Sequence, residues 1–194
     1  MSEGRRRWAD ADWNDPWPVV GVHRGAPTPS MGVDALTADG FRFVADVDPI
    51  EVDADRHQAH LNNAAAVRMF NELRVAYVAA RLAPDWTRHV RRSGTTVIVR
   101  DLRVEYQSEA SVDERFVGAT RWAARRGKSG LVEHRLVEQS TARPIARGWV
   151  VQLYLGPTGA VEPFPDAFWD LVAGVEGGPV PTVEDARRQW GPPG

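Results

Sequence analysis

The side chains most able to do chemistry are concentrated in residues 53–63, DADRHQAHLNN, directly ahead of an apolar stretch with helical spacing. Asp55 and His60 bring a carboxylate and an imidazole to the point where that helix is expected to begin. The first turn of a helix has unpaired N–H groups and a partial positive charge, so it can polarise a carbonyl and stabilise an oxyanion. A neighbouring carboxylate could then attack the carbonyl or activate water. The simpler alternative is a solvated loop in which Asn62 or Asn63 caps the helix.

Glu72 is a second candidate carboxylate, roughly two to three turns into the helix predicted for residues 64–82. A glutamate on a mostly covered helix must pair with another group or face a cleft, because a lone buried charge is unfavourable. Glu72 could therefore be a catalytic or substrate-orienting group, or it could form an i,i+4 ion pair with Arg68. The sequence leaves both interpretations open.

Motifs for other chemistries are absent or weak. The metal-ligand side chains of Asp53, Asp55, His57 and His60 are close in sequence, but their spacing matches no zinc pattern. The chain has no G-x-S-x-G nucleophile elbow and no Gly-rich phosphate loop. We therefore expect no bound metal and no cofactor.

A basic cluster lies at a predicted hairpin and comprises Arg125, Arg126 and Lys128. Such a cluster could bind the phosphates of a nucleotide-bearing substrate. A solvated turn is the alternative.

Hydrophobic periodicity predicts one long helix among five strands. Residues 41–52 alternate as a strand, with Phe41, Phe43, Ala45 and Val47 on one face. The helix carries an apolar stripe formed by Ala66, Phe70, Leu73, Tyr77 and Ala80. Short turns favour an antiparallel meander of four strands and then a short helix, with strands at 94–107, 113–126, 131–140 and 145–155 and the helix at 164–173. One long central helix wrapped by a curved antiparallel sheet gives an α+β fold, whose open sheet edge favours pairing with a second copy.

Three segments are expected along the chain. Residues 1–40 form a Trp- and Pro-rich N-terminal extension with little regular structure, whose tryptophans, Trp8, Trp13 and Trp17, we expect to dock on the domain surface. Residues 41–174 form the folded domain. Residues 175–194 are rich in Gly and Pro and are expected to be a flexible C-terminal tail.

Composition excludes several partners. A net charge of −2 provides no strong field for nucleic acid or a membrane surface. No run approaches the ~18–20 apolar residues that a membrane span needs, and the N-terminal residues do not resemble a secretory signal. The absence of cysteine fits a reducing compartment, so we expect a cytoplasmic protein.

The polar turn and the helix resemble those of the hotdog-fold acyl-CoA thioesterases of the 4-hydroxybenzoyl-CoA thioesterase type. That family has G-H-x-N-N before its helix, and this chain has Ala59-His60-Leu61-Asn62-Asn63. Its helix has a Phe-Glu-Glu-Ala-Arg-like core, and this chain has Phe70-Asn71-Glu72-Leu73-Arg74. The resemblance extends over about residues 41–168 and includes the strand entry at Val104 to Tyr106.

The chain departs from the family pattern at two positions. Ala59 replaces the glycine before the histidine. Arg56 stands four residues before His60, where the family has the second aspartate of D-x-D. Asp55 can take that place only if the turn holds one extra residue.

The resemblance implies a hotdog fold that hydrolyses an acyl thioester of coenzyme A or of an acyl carrier protein. The implied catalytic residues are Asp55, Glu72, His60 and Asn63, with either Asp55 or Glu72 as the essential carboxylate. The thioester carbonyl would contact backbone N–H groups from Asn62 to Ala64, and the acyl group would enter a tunnel along Phe70 and Tyr77. Family sites lie between subunits, which implies a homodimer or homotetramer. Arg126 and Lys128 would bind the carrier phosphates.

Two rival functions fit the same fold. Asp55 and His60 are spaced D-x-x-x-x-H, as in R-specific enoyl-CoA hydratases. A non-catalytic hotdog protein that binds acyl chains or a partner would explain the displaced aspartate and the Trp-rich extension.

Overall fold

The computed structural model describes residues 19–23, 25–55, 59–82 and 85–184. The helices and strands, in chain order within each class, are α1 (Met31–Ala38), α2 (Asn63–Tyr77, continued by a π-helical turn, Val78–Leu82), α3 (Asp85–Ser93), α4 (Asp166–Glu176), β1 (Phe43–Val47), β2 (Thr96–Tyr106), β3 (Phe116–Arg126), β4 (Ser129–Glu138), β5 (Pro144–Leu155) and β6 (Val161–Glu162). None of the helices in these residues is long and apolar enough to cross a membrane. The three tryptophans predicted to dock, Trp8, Trp13 and Trp17, lie outside the described residues.

One antiparallel sheet has the strand order β1-β3-β4-β5-β2, and β6 pairs with the end of β5. The turn predicted from Gly127 to Gly130 is confined to Gly127 and Lys128, and it joins β3 to β4. β2 pairs with β5 at the far edge and is not a neighbour of β3. The predicted meander is therefore confirmed for β3, β4 and β5 and is wrong for β2, because the connection of residues 107–115 is long enough to cross the sheet.

α2 packs against the inner face of the sheet and forms the centre of the core. The predicted stripe is confirmed for Ala66, Phe70, Leu73 and Tyr77, which are all buried. Ala80 is exposed, because it lies in the π-helical turn, where the change of helical period moves it off the stripe.

α1 corrects the expectation of little regular structure up to residue 40. It lies on the outer face of the sheet, where Leu36 and Phe41 pack with Val117 in a second, smaller core. Phe41 therefore lies on the opposite face from Phe43, which packs in the main core. The predicted common face is confirmed for the strand itself but is wrong for Phe41, which precedes β1.

The chain after residue 82 is also more regular than expected. α3 occupies most of residues 83–93, which lie between the predicted helix and the strand predicted at 94–107 and were expected to be only a connector. Its Trp86 packs on Phe168 with ring centroids 4.6 Å apart. Beyond α4, Val180 is buried and the Arg125 N–H donates to the Pro181 carbonyl at 2.9 Å. The expected flexible tail thus packs against the domain as far as residue 184, and residues 185–194 lie outside the described part.

Candidate functional site

A closed turn precedes α2 and brings two of the predicted site residues together. Ala54 and Leu61 form an antiparallel bridge. Beside it, the Asp55 N–H donates to the His60 carbonyl at 2.9 Å. Asp55 and His60 therefore face each other across the base of the turn, and residues 56–58 between them lie outside the described residues.

Asp53 is a buried structural carboxylate. Its side chain is 2% exposed. It accepts hydrogen bonds from Arg68 Nε at 2.7 Å, from Arg68 Nη2 at 2.5 Å and from the Ile50 N–H at 2.9 Å. Arg68 thus pairs with Asp53 and not with Glu72, the i,i+4 partner that was one of the two interpretations left open. Asp53 therefore has a structural role in the turn.

The first turn of α2 leaves one backbone donor unused. Asn62 is the N-cap, and its Oδ1 accepts from the Ala64 N–H at 2.9 Å and from the Ala65 N–H at 3.0 Å. The Asn62 N–H donates to the Asp53 carbonyl at 2.8 Å. Within the described residues, the Asn63 N–H has no acceptor, and it lies where the helix has its partial positive charge.

A cleft of about 390 Å³ opens beside this helix end. It lies between the start of α2 and the last residues of β2, and the Tyr106 hydroxyl on its wall donates to the Asn63 carbonyl. The lining residues are His60, Leu61, Asn62, Asn63, Ala66, Tyr106, Gln107, Ser108, Glu109, Ala110, Leu136 and Ile145. Three predicted site residues, His60, Asn62 and Asn63, therefore share one cleft.

Glu72 lies away from this cleft and contacts the N-terminal part of the chain. Its Oε2 accepts a hydrogen bond from the Val20 N–H at 3.1 Å, and the side chain is half-buried. Glu72 and Asp55 are therefore in different surroundings.

A family model described as the thioesterase-like superfamily matches residues 44–171. The chain belongs to this superfamily. A thioesterase from Thermus thermophilus, solved with coenzyme A and zinc, is 24% identical with a TM-score of 0.62, covering 73% of this chain and 98% of that one. A thioesterase-superfamily protein from a Jannaschia species is 20% identical with a TM-score of 0.63, covering 79% and 95% of the two chains. A 1,4-dihydroxy-2-naphthoyl-CoA thioesterase from Synechocystis is 10% identical with a TM-score of 0.59, covering 68% and 95%.

These likenesses confirm the predicted α+β hotdog fold, in which a curved antiparallel sheet wraps a long helix. No curated protein sequence matches the chain. In the described part of this thioesterase-like protein, no group of three or more His, Asp or Glu side chains could hold a metal ion.

Two residues predicted to line an acyl tunnel lie inside the core of this thioesterase-like protein. Phe70 is 1% exposed and stacks on His134, with ring centroids 5.1 Å apart and planes 15° apart. Tyr77 is 1% exposed, and its hydroxyl donates to Glu176 Oε1 at 2.8 Å. Neither side chain lines the cleft at the start of α2, so their predicted contact with an acyl chain stays a prediction.

The predicted phosphate-binding residues lie at the other end of the sheet. Arg126 and Lys128 flank the turn between β3 and β4, and the Lys128 Nζ donates to the Val161 carbonyl at 2.8 Å. They line a broad groove that also includes Arg100, Leu131 and Leu153. Within one protomer, the structure does not bring Arg126 and Lys128 to the cleft.

Two residues that shape the site were not among the predicted site residues. Tyr106 forms one wall of the cleft, although the sequence marked it only as part of a strand. Arg68 fixes Asp53 from fifteen positions further along the chain. The sequence did contain one indication of this pair. Asp53 and Arg68 carry opposite charges and lie on either side of a helix start that must be largely buried.

Proposed function

We propose that this protein hydrolyses acyl thioesters of coenzyme A, with an acyl carrier protein as the alternative carrier. The observation that carries the proposal is the unused Asn63 N–H at the start of α2, directly after the Asp55–His60 turn and inside a cleft. A neighbour of the same fold was solved with coenzyme A, and another is named as an acyl-CoA thioesterase. We keep a cytoplasmic location and a role in lipid metabolism as parts of this proposal.

In the proposed mechanism, the thioester carbonyl oxygen accepts a hydrogen bond from the Asn63 N–H. We assign this donor rather than the Ala64 N–H, because the Ala64 N–H already donates to the Asn62 side chain. As the carbonyl is attacked, negative charge develops on its oxygen, where the N–H group and the helix dipole stabilise it.

We assign Asp55 as the carboxylate that attacks the carbonyl carbon or removes a proton from the attacking water. Collapse of the tetrahedral intermediate breaks the carbon–sulfur bond, and the thiolate takes up a proton to leave as free thiol. Where Asp55 is the nucleophile, water then cleaves the acyl–aspartate anhydride to release the acid. Asp55 is preferred to Glu72 because its N–H is bonded to the carbonyl of His60, which lines the cleft, whereas Glu72 accepts the Val20 N–H from the N-terminal part of the chain.

A homodimer, alone or within a homotetramer, is part of the same proposal. β2 is an edge strand of 11 residues, and its side chains Ile98, Val99, Leu102 and Tyr106 are 38–53% exposed. A long apolar edge of this kind favours pairing with another strand. Antiparallel pairing of two β2 strands would bring the Thr96 end of one protomer to the Tyr106 end of its partner.

That pairing would give Arg126 and Lys128 a role in substrate binding. Arg126 aligns across the sheet with Ser129, Leu153 and finally Ile98, near the Thr96 end of β2. In the proposed dimer these two cations approach the cleft of the other protomer, where they could bind the phosphates of coenzyme A.

The test is thiol release from short, long and aromatic acyl-CoAs by wild type, Asp55→Asn and Glu72→Gln. We expect Asp55→Asn to lose at least about 10²-fold in kcat, because it removes the nucleophile or base. Glu72→Gln is the matched control and should retain most activity. A dead Glu72→Gln with an active Asp55→Asn would reverse the assignment. Absence of thiol release from every substrate would contradict hydrolysis, and enoyl-CoA hydration and acyl-CoA binding would then be measured.

A further inference from the structure

We propose that Arg68 is a positioning residue for Asp55, and that residues 19–23, here called the N-terminal strap, hold Arg68 in place. The inference rests on the proposed function. The strap lies before residues 44–171, the part matched by the superfamily model. It would make the active site of this chain depend on a segment outside the matched part.

The strap is bonded to the C-terminal end of β1, on the side away from β3. Val22 forms an antiparallel bridge with Val47. The Asp48 N–H donates to the Gly21 carbonyl at 2.7 Å, and the His23 N–H donates to the Asp46 carbonyl at 3.0 Å. These backbone bonds fix the strap relative to the sheet.

Arg68 connects the strap to the aspartate turn. Its Nη1 donates to the Val20 carbonyl at 2.7 Å, while Nε and Nη2 hold both oxygens of Asp53. The planar guanidinium presents these donors in a fixed fork, so the position of the strap sets the position of the Asp53 carboxylate. Glu72 also accepts the Val20 N–H, and Glu72→Gln can keep this bond through its amide oxygen.

Asp53 in turn fixes the turn that carries Asp55. Its side chain accepts the Ile50 N–H at 2.9 Å, and its carbonyl accepts the Asn62 N–H at 2.8 Å. The two ends of the turn are therefore both tied to Asp53, and Asp55 lies between them. A displacement of a catalytic group by about 1 Å can lower a rate by about 10²-fold, even when the cause is remote.

Gly21 gives a way to move the strap without altering the site. Its φ is +74°, and a Cβ there would lie 2.5 Å from the Asp48 carbonyl oxygen, a backbone atom. An alanine cannot be placed at this position unless the strap moves away from β1. Gly159 is the matched control, because its φ is +79° but no atom lies within 4 Å of a Cβ placed there.

The experiment compares Gly21→Ala with Gly159→Ala in the full chain. kcat and KM are measured with the best acyl-CoA substrate, and amide hydrogen exchange is followed over residues 50–62. We expect Gly21→Ala to lower kcat about 10-fold or more with KM changed less than about twofold, and to speed exchange in residues 50–62. Gly159→Ala should change neither quantity.

Arg68 is tested by the same measurements. Arg68→Lys keeps the charge but cannot bond Val20 and both Asp53 oxygens at once, so we expect partial loss of kcat. Arg68→Met removes the charge and should lose more. A kcat that falls from wild type to Arg68→Lys to Arg68→Met, with KM unchanged, would indicate that Arg68 positions the site. A general loss of structure would not give this pattern.

Two results would overturn the inference. The first is unchanged kcat and exchange in Gly21→Ala. The second is faster exchange throughout the chain, with kcat falling only in proportion to the unfolded fraction. If wild type hydrolyses no acyl-CoA, the proposed function fails separately, and unchanged exchange in residues 50–62 would still refute the role of the strap.

Discussion

His134 is a histidine that the fold keeps uncharged. It is fully buried beneath α2, where it stacks on Phe70 and its Nδ1 shares a hydrogen bond with Thr120 Oγ1. Burial, aided by the positive charge of Arg74, lowers the pKa of His134 from 6.5 to about 3. Its Nε2 has no hydrogen-bond partner among the described residues, so protonation would place an uncompensated charge in the core.

The lowered pKa of His134 predicts a loss of stability in mild acid. Below pH 6.5 the unfolded chain binds a proton at this residue that the folded chain does not bind until about pH 3. The free energy of unfolding should therefore fall by about 2 kcal/mol between pH 7 and pH 5 on account of this one group. Urea unfolding across this range would show the slope in wild type and its absence in His134→Gln. Equal slopes in the two proteins would contradict the prediction.

The comparison with His134→Gln also separates the effect of His134 on the pH dependence of stability from the effects of other titrating groups. Burial raises the pKa of Glu176 despite its bonds to Tyr77 and the Trp122 N–H. Glu176 therefore takes up a proton more readily in the folded chain, which stabilises the fold as the pH falls towards 4.5. Its contribution is present in both proteins and cancels in the difference.

Single-residue roles were predictable from the sequence only where they are local. The Asn62 cap follows from an asparagine directly ahead of an apolar helix. The Asp53–Arg68 pair joins the turn to the second helical turn, and the sequence offered Glu72 as an equally good partner four residues away. Whether Arg68 pairs with Asp53 or with Glu72 depends on the direction from which the chain enters the helix. The periodicity of the sequence contains no information on that direction.

At the scale of elements, one close approach of α2 to the sheet depends on a glycine. Gly148 of β5 faces the Phe70 ring, and a Cβ there would lie 2.6 Å from ring carbons. The flat ring can therefore lie between the helix and the strand only because this position has no side chain.

Gly148→Ala should destabilise the fold by about 1–3 kcal/mol, because Phe70 must leave its place or the helix must move. Gly174→Ala in α4 is the matched control, since a Cβ there meets no atom within 4 Å. That change should stabilise by about 0.5–1 kcal/mol, as expected for glycine in a helix. Chemical denaturation of both variants measures the two effects, and equal stability of the two variants would show that the Phe70 contact is not tight.

Elements with a clear apolar pattern could be predicted from the sequence, including the short β1 and α4, whereas α1, α3 and the neighbour of β2 could not. The fifteen residues of α2 carry a clear apolar stripe. The eight residues of α1 lie among Pro and Gly residues, and α3 is short and charged, so neither has a stripe long enough to stand out. The position of β2 beside β5 depends on the path of a connection, which leaves no periodic signal.

At the scale of the molecule, the exposed β2 edge predicts that positive charges added to this strand prevent dimerisation. Val99→Arg combined with Leu102→Arg places a cation at each of two exposed apolar positions, which are 47% and 39% exposed. The double variant should be monomeric by analytical ultracentrifugation, because repelling charges would face each other across the paired strands.

We also expect the monomer to lose at least about 10-fold in kcat/KM for acyl-CoA, because Arg126 and Lys128, the proposed phosphate-binding residues, would no longer reach the cleft. Met31→Arg in α1 is the control, since Met31 is 61% exposed and lies on the outer face, away from β2. A double variant that stays dimeric would place the interface elsewhere.

The two edges of the sheet differ, and this difference limits how many protomers can join edge to edge into one continuous sheet. β2 offers a full row of backbone groups, whereas the outer side of β1 is already bonded to Gly21, Val22 and His23 at its C-terminal end, from Asp46 to Asp48. A unit with two open edges can add a copy at each end and grow without limit, and a unit with one can only pair. In the proposed dimer, each protomer would therefore extend the sheet at one edge only, and we expect removal of residues 1–23 to open the second edge and to allow filaments.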